Sequence, residues 1–412
     1  MAGQQTVSIN AGFLPLLDAS LLIVAREMGF CEAEDIDLRL HRETSWASMR
    51  DRLAVGHFDV AQLLAPMPIA AALTRGPMDI KLIVPMALGL GGNAVTVSQA
   101  LWAQMLENGA EETADALVNG RALARVCAKR RAERTGQLKL GVVHRFSSHN
   151  MELRYWLCAS GIEPDQDAEF VIVPPPFMAD ALISGQIDGF CVGEPWNALA
   201  VEAGAGVIAT TKSSIWRCSP EKVLGVSADW AADQADALQR LVRALAQASL
   251  WCGQSDNNEK LAELISAPGY LDQPPALMLR GLSGHMPLIK DGVMHEIDDF
   301  LLFHDRAATF PWVSHALWFY AEMVRWGMFV HSPAAVTIAR ETYRPDIYRQ
   351  SLKGTDIGIP NASLKVEGGL DEVIDVPTTQ GRLRLGPDGF FDGRSFDPDL
   401  LDAYIAENQP KT

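Results

Sequence analysis

Short β-rich runs alternate with helical patterns through the first half of this chain, and that alternation constrains the fold more than any other feature. Residues 7–11 read as a strand, 20–28 as an amphipathic helix ended by Gly29, and 36–42 as an alternating strand. Ser45 is a credible N-cap for a helix over 46–55, which Gly56 closes. Further strands are expected at 60–64 and 80–86, with Pro66 opening the helix between them. The order βαβαβαβ predicts a parallel sheet with helical crossovers.

A second set follows. Helical sequence covers about 99–134, a strand lies at 138–143, and a helix over 149–159 is closed by Gly161. Strands are expected at 170–173, before Pro174-Pro175-Pro176, and at 189–192. Beyond about Ser213 the pattern is mostly helical, as in 231–252 and 315–325, while 353–393, rich in Gly, Pro and Asp, reads as loop. Two α/β units with the chain crossing near 94–98 and returning near 209–213 make a two-lobed clamp. Lobe I would comprise 1–97 and 213–412, and lobe II 98–212. Ligands in such sheets bind where carboxyl ends of strands lead into helix N-termini.

A length of 412 residues supports two lobes with cores of their own. The formal net charge of −16 would repel a nucleic-acid backbone, which disfavours direct binding to DNA or RNA. No apolar run reaches the roughly 20 residues of a membrane span. The six cysteines are scattered with no CxxC pair, so buried thiols are expected rather than disulfides or a metal site. No metal cluster or cofactor motif is visible, there is neither a GxxxxGK[ST] loop nor a GxSxG elbow, and no nucleophile–base pair suggests an enzyme. The opening MAGQQTVSIN lacks a basic segment, an apolar segment and a cleavage site, so a cytoplasmic protein is expected.

Four residues stand at junctions where a ligand could be met. His149 follows Ser147-Ser148 at a helix start, where unpaired N–H groups and the helix dipole favour an anion; alone it is simply an N-terminal helix residue. Trp46 opens another helix; an isolated Trp is more often core, though its indole N–H donates and nothing on it accepts. Asn93, after Gly91-Gly92, is ordinarily a turn residue, and Lys222, in Ser219-Pro220-Glu221-Lys222, ordinarily a solvated surface lysine. Together they meet one chemical demand. A small oxyanion offers only acceptors, so its site must supply imidazole, indole N–H, amide, ammonium and backbone donors. Asp18, Glu152 and Glu194 are too far apart in sequence to argue for a paired acid and base. The basic stretch Lys129-Arg130-Arg131 with Arg134 reads as a solvated helix face, and Gly193-Glu194-Pro195-Trp196 as a turn with a packed Trp.

Several strings resemble the nitrate- and bicarbonate-binding receptors of ABC transporters and their cytoplasmic relatives, the NasS-type nitrate sensors. They include Glu43-Thr44-Ser45-Trp46, Leu64-Ala65-Pro66-Met67-Pro68, Ser148-His149-Asn150-Met151, Cys191-Val192-Gly193-Glu194-Pro195-Trp196, Ser219-Pro220-Glu221-Lys222, Arg325-Trp326-Gly327 and Phe391-Asp392-Gly393. They run in family order over nearly the whole chain. The resemblance implies a periplasmic-binding-protein-like α/β clamp, each lobe a sheet flanked by helices, with nitrate held between the lobes. It places the family's tryptophan, histidine and lysine contacts on Trp46, His149 and Lys222. The family's amide contact, a glutamine in the transport receptors, falls on the shorter Asn93. Bicarbonate-binding members lack the cation that Lys222 retains. The expected function is therefore a cytoplasmic sensor of nitrate or nitrite whose partner is an ANTAR-type RNA-binding antiterminator. The alternative is the receptor of a nitrate ABC transporter, and an enzyme on the same fold ranks third.

Overall fold

The computed structural model describes residues 5–74 and 80–408. Its first half lays down β1 (Val7–Phe13), α1 (Ser20–Glu27), β2 (Ile36–Arg42), α2 (Trp46–Ala54), β3 (Val60–Leu64), α3 (Pro66–Leu73) and β4 (Leu82–Ala87). After the two-residue β5 (Leu90–Gly91) come β6 (Asn93–Ser98), α4 (Gln99–Glu107), α5 (Ala116–Glu133), β7 (Leu138–Val142), α6 (Ser148–Ala159), α7 (Pro164–Asp167) and β8 (Ala168–Ile172). Then follow α8 (Met178–Ile183), β9 (Gly189–Gly193), α9 (Trp196–Glu202), β10 (Gly206–Thr211), α10 (Lys212–Ile215) and β11 (Lys222–Ser227).

These strands form two five-stranded sheets, in the orders β2-β1-β3-β11-β4 and β10-β6-β9-β7-β8. The pattern of each strand follows from its place. β2 at an edge buries Ile36 and Leu38 and exposes Asp37 and Arg39, whereas β3, β4, β9 and β10 are buried throughout, as continuous apolar strands covered on both faces must be. Three expectations change. The first sheet is mixed, not parallel: β11 inserts antiparallel between β3 and β4, in a stretch that reads as mainly helical. α1 is not half-exposed, because the helix Ala235–Cys252 covers its outer side and Ser20 to Ala25 are all buried. And β6 already belongs to the second sheet, so the chain passes between sheets at 88–92 rather than 94–98 and returns through 212–221. Gly91 makes the first passage possible: its φ is 74°, and an added Cβ would lie 2.2 Å from the Phe300 carbonyl oxygen.

The remainder of the chain ties the two sheets together. The helix Val313–Arg325 is almost wholly buried and shares one apolar cluster with Leu64 of β3, Val95 of β6 and Trp156 of α6. The tail is loop-like in 353–393, yet it is anchored. Arg217 N–H donates to the Gly389 carbonyl (3.0 Å) and Phe391 N–H to that of Ile215 (2.9 Å), so the tail lies along the return passage. Phe390 stacks on Trp216 with ring centroids 4.5 Å apart, and Tyr155 of α6 donates to Asp392 at 3.0 Å. Among the described residues no helix is long and apolar enough to cross a membrane.

Phe390→Ala should therefore cost about 3 kcal/mol of stability, the ordinary penalty for emptying a buried aromatic position. Urea unfolding followed by tryptophan fluorescence measures it. An unchanged midpoint would mean that the tail contributes nothing to the packing of the return passage.

Candidate functional site

Local capping places two of the expected residues. Ser45 accepts the Ser48 N–H at 3.2 Å and so starts α2 at Trp46; Ser147 accepts the Asn150 N–H at 3.0 Å and starts α6 one residue before His149. Asn93 opens β6 and Lys222 opens β11, on the two passages between the sheets. All four side chains are buried, His149, Asn93 and Lys222 completely.

The structure brings them to one place, around a residue the sequence did not single out. Glu221 Oε2 accepts from Asn93 Nδ2 (2.6 Å), from the Ser148 hydroxyl and from Lys212, while Oε1 meets Lys222. His149 Nε2 stands 3.3 Å from Oε1, within ion-pair distance but not aligned as a hydrogen bond. Lys222 Nζ also donates to Asp18 Oδ2 (2.9 Å) and lies 5.4 Å from the centre of the Trp46 ring. Lys212 Nζ donates to the Pro220 carbonyl (2.6 Å) and lies 3.1 Å from Glu152 Oε1. Gln62 bridges from β3, donating to Asp18 and accepting the Leu14 N–H at 2.8 Å. Asp18 and Glu152, too distant in sequence to be paired by reading, thus share one buried cluster through two lysines. Gly193, from the segment read as a turn, packs against it: an added Cβ would stand 3.0 Å from Asn93 Oδ1.

Burial sets the protonation of this cluster. It pushes His149 down to about 3, with Lys222 and Lys212 adding to the effect against Glu221, so the ring is neutral. It pushes Glu152 up to about 8 despite Lys212, and raises Asp18 despite Lys222. Glu221 goes the other way: burial works against its charge, but His149, Lys212 and Lys222 outweigh it and hold the carboxylate well below its ordinary range. Lys222 is raised, because Asp18 and Glu221 outweigh the cost of its burial. Several polar atoms here have no protein partner: Trp46 Nε1, Asn93 Oδ1, Ser219 Oγ and both ring nitrogens of His149. Such groups are costly to bury unpaired.

Other features fall outside the cluster. Glu194 is raised to about 7 by burial and accepts the Ala198 N–H at 3.0 Å, and Trp196 donates to the Pro15 carbonyl at 3.2 Å. The basic stretch is the end of α5, with Arg131 on Asp167 at 3.1 Å. Among the described residues no group of three or more His, Cys, Asp or Glu is placed to hold a metal ion.

The raised Glu152 has a measurable consequence. A carboxyl whose folded pKa lies above its unfolded value contributes stability that is whole below about 4.5 and is lost as pH rises towards about 8. Wild type should therefore lose about 2 kcal/mol relative to Glu152→Gln between pH 6 and pH 9, read from urea midpoints. Parallel curves would show Glu152 to be ionised throughout.

The NMT1-like family profile matches residues 2–266. The nitrate/nitrite binding protein NrtA of Synechococcus elongatus is 30% identical over 406 residues, spanning 96% of this chain and 85% of that protein. The bicarbonate-binding protein CmpA of Synechococcus sp. is 29% identical, over 97% of this chain and 86% of its own length. The crystal structure of the periplasmic nitrate-binding protein NrtA from Synechocystis superimposes with a TM-score of 0.85 at 26% identity, covering 100% of both chains.

Proposed function

The chain belongs to the NMT1-like family and is homologous to those nitrate/nitrite- and bicarbonate-binding proteins, and from that premise we propose that its buried cluster binds nitrate or nitrite. The observation that carries the reading is the convergence of Trp46 from α2, His149 from α6, Asn93 from β6 and Lys222 from β11 on one enclosed place. Indole N–H, amide, imidazole and ammonium groups are the donor set a small planar oxyanion requires. Asn93 Nδ2 is engaged with Glu221 and Lys222 has carboxylates on two sides, so the anion would share these donors, while Trp46 Nε1 is wholly uncommitted.

Four heavy atoms at about −1.5 kcal/mol each give roughly −6 kcal/mol, a Kd on the order of tens of micromolar, which charge-assisted bonds in an enclosed site would lower. The role we favour is that of a solute receptor handing the anion to an ABC transporter, in keeping with relatives named for binding and import of nitrate and bicarbonate. The cytoplasmic sensor with an RNA-binding antiterminator shares the ligand and differs in the partner. It rests on the opening residues, of which 1–4 lie outside the described residues, and the relatives lend it no support. Co-purification from native cells, with permease and ATPase in one case and antiterminator in the other, separates the two.

Trp46→Phe tests the ligand directly. It removes a donor that no protein group uses, so nitrate affinity should fall about tenfold by isothermal titration, while the smaller ring in a buried position has a stability cost of its own, measured separately from urea midpoints. Heat with bicarbonate but none with nitrate or nitrite would overturn the ligand assignment.

A further inference from the structure

Resting on that reading, we infer that the site takes up its oxyanion together with a proton, and that His149 carries it against Glu221. The charges of the cluster lie away from solvent. Three carboxylates (Asp18, Glu152 and Glu221) face two ammonium groups (Lys212 and Lys222), and all five side chains are nearly or completely buried. With Asp18 and Glu221 ionised against the ammonium groups they meet, the cluster is negative by one when Glu152 is ionised and neutral when Glu152 is protonated. In neither state is there a positive charge to spare. A monovalent anion added to it would leave an uncompensated buried charge, the costliest arrangement a protein interior can hold.

The remedy is a proton, and the groups around the site leave one place for it. Lys212 and Lys222 each already meet two carboxylates. Glu221 is held ionised by the two ammonium groups and by donors from Asn93 and Ser148. Asp18 is engaged by Lys222 and Gln62, Glu152 is already largely protonated near neutrality, and burial keeps the Cys191 thiol of β9 protonated. His149 alone among these is neutral, free at both ring nitrogens, and beside a carboxylate, with Nε2 3.3 Å from Glu221 Oε1. Its position in the first turn of the twelve-residue α6 also opposes its charge, because the dipole there is positive. An anion reverses that term: it satisfies the helix terminus and makes an imidazolium favourable between itself and Glu221. The ring would donate one N–H to the bound oxyanion and the other towards the carboxylate.

The linkage is read by titrating the full chain with nitrate in PIPES and in imidazole buffer, whose ionisation heats differ, at pH 6.0, 6.5, 7.0 and 8.0. Wild type should take up between half a proton and one at pH 6.5, and its affinity should fall up to tenfold per pH unit wherever uptake is complete. His149→Gln, which keeps a donor but cannot titrate there, should bind more weakly, with no uptake and no pH dependence between pH 6.0 and 7.0, where Glu152 keeps its proton. If that variant fails to fold, the ring nitrogens of wild type labelled with ¹⁵N-histidine give the same answer, moving to imidazolium shifts when nitrate is added. Binding with equal heats in both buffers at every pH, uptake that survives His149→Gln at pH 6.0 to 7.0, or ring shifts that stay neutral would each overturn the proton on His149 while leaving the ligand in place. No heat with nitrate, nitrite or bicarbonate would overturn the ligand reading itself.

Discussion

A single carboxylate shared by two ammonium groups away from solvent is the contact on which the rest of this molecule depends. Glu221 leaves the return passage between the sheets and is met there by Lys212 from the same passage, Lys222 from the first sheet, Asn93 from the second and Ser148 from α6. An ion in a protein interior is tolerable only when its charge and its lone pairs are all answered. Every one of those answers comes from a different element, so the cluster fixes how the two sheets stand relative to one another. Removing Glu221 would leave Lys222 with Asp18 alone and Lys212 with Glu152 and the Pro220 carbonyl, one carboxylate fewer for each buried cation, which makes it a structural residue.

The backbone delivers these groups because both passages run through the same place. Gly91 and Gly92, each with positive φ, turn the chain from the first sheet into β6 and set Asn93 at its first position. The return through 212–221 sets Lys212 at its start and Glu221 at its end, with Lys222 opening β11. The tail then covers that return: backbone bonds at Arg217 and Phe391, and the stack of Phe390 on Trp216, hold it one helical turn beyond Lys212. A segment read as loop is therefore part of what holds the site's cation-bearing passage in position.

Much of this was legible because it was local. Ser45 before Trp46 and Ser147 before His149 are caps whose side chains satisfy the first free N–H groups, and the strands at 36–42 and 60–64 coincide with their apolar patterns. What escaped was long-range. β11 is six residues inside a mostly helical stretch, and only pairing with β3 and β4, far away in sequence, makes it a strand. Glu221 sits in Ser-Pro-Glu-Lys, which locally is a turn with two solvated charges; contacts from residues 93, 148, 149 and 212 are what bury it. A clue was present in Lys212, an ammonium at the end of an apolar strand, since a lysine is rarely buried without a carboxylate to meet it.

Enclosure has a further consequence for exchange. Trp46, Asn93, His149 and Lys222 are at most 1% exposed, so no solute reaches them unless some of the cover moves. The contacts that would part first are those joining the two sheets at the cluster, Glu221 to Ser148, Asn93 and His149, because they are polar and water can replace them. The apolar cluster that joins Leu64, Val95 and Trp156 to the helix Val313–Arg325 has no such substitute, and its separation would expose hydrocarbon. Opening is therefore cheapest as a rotation that breaks the polar side and keeps the apolar side as its pivot. A ligand stabilises the closed form only by as much as it binds that form better than the open one. In a cluster whose charges already balance, that difference must come from groups that gain a partner on closure, and the unpartnered indole of Trp46 and imidazole of His149 are two such groups in place.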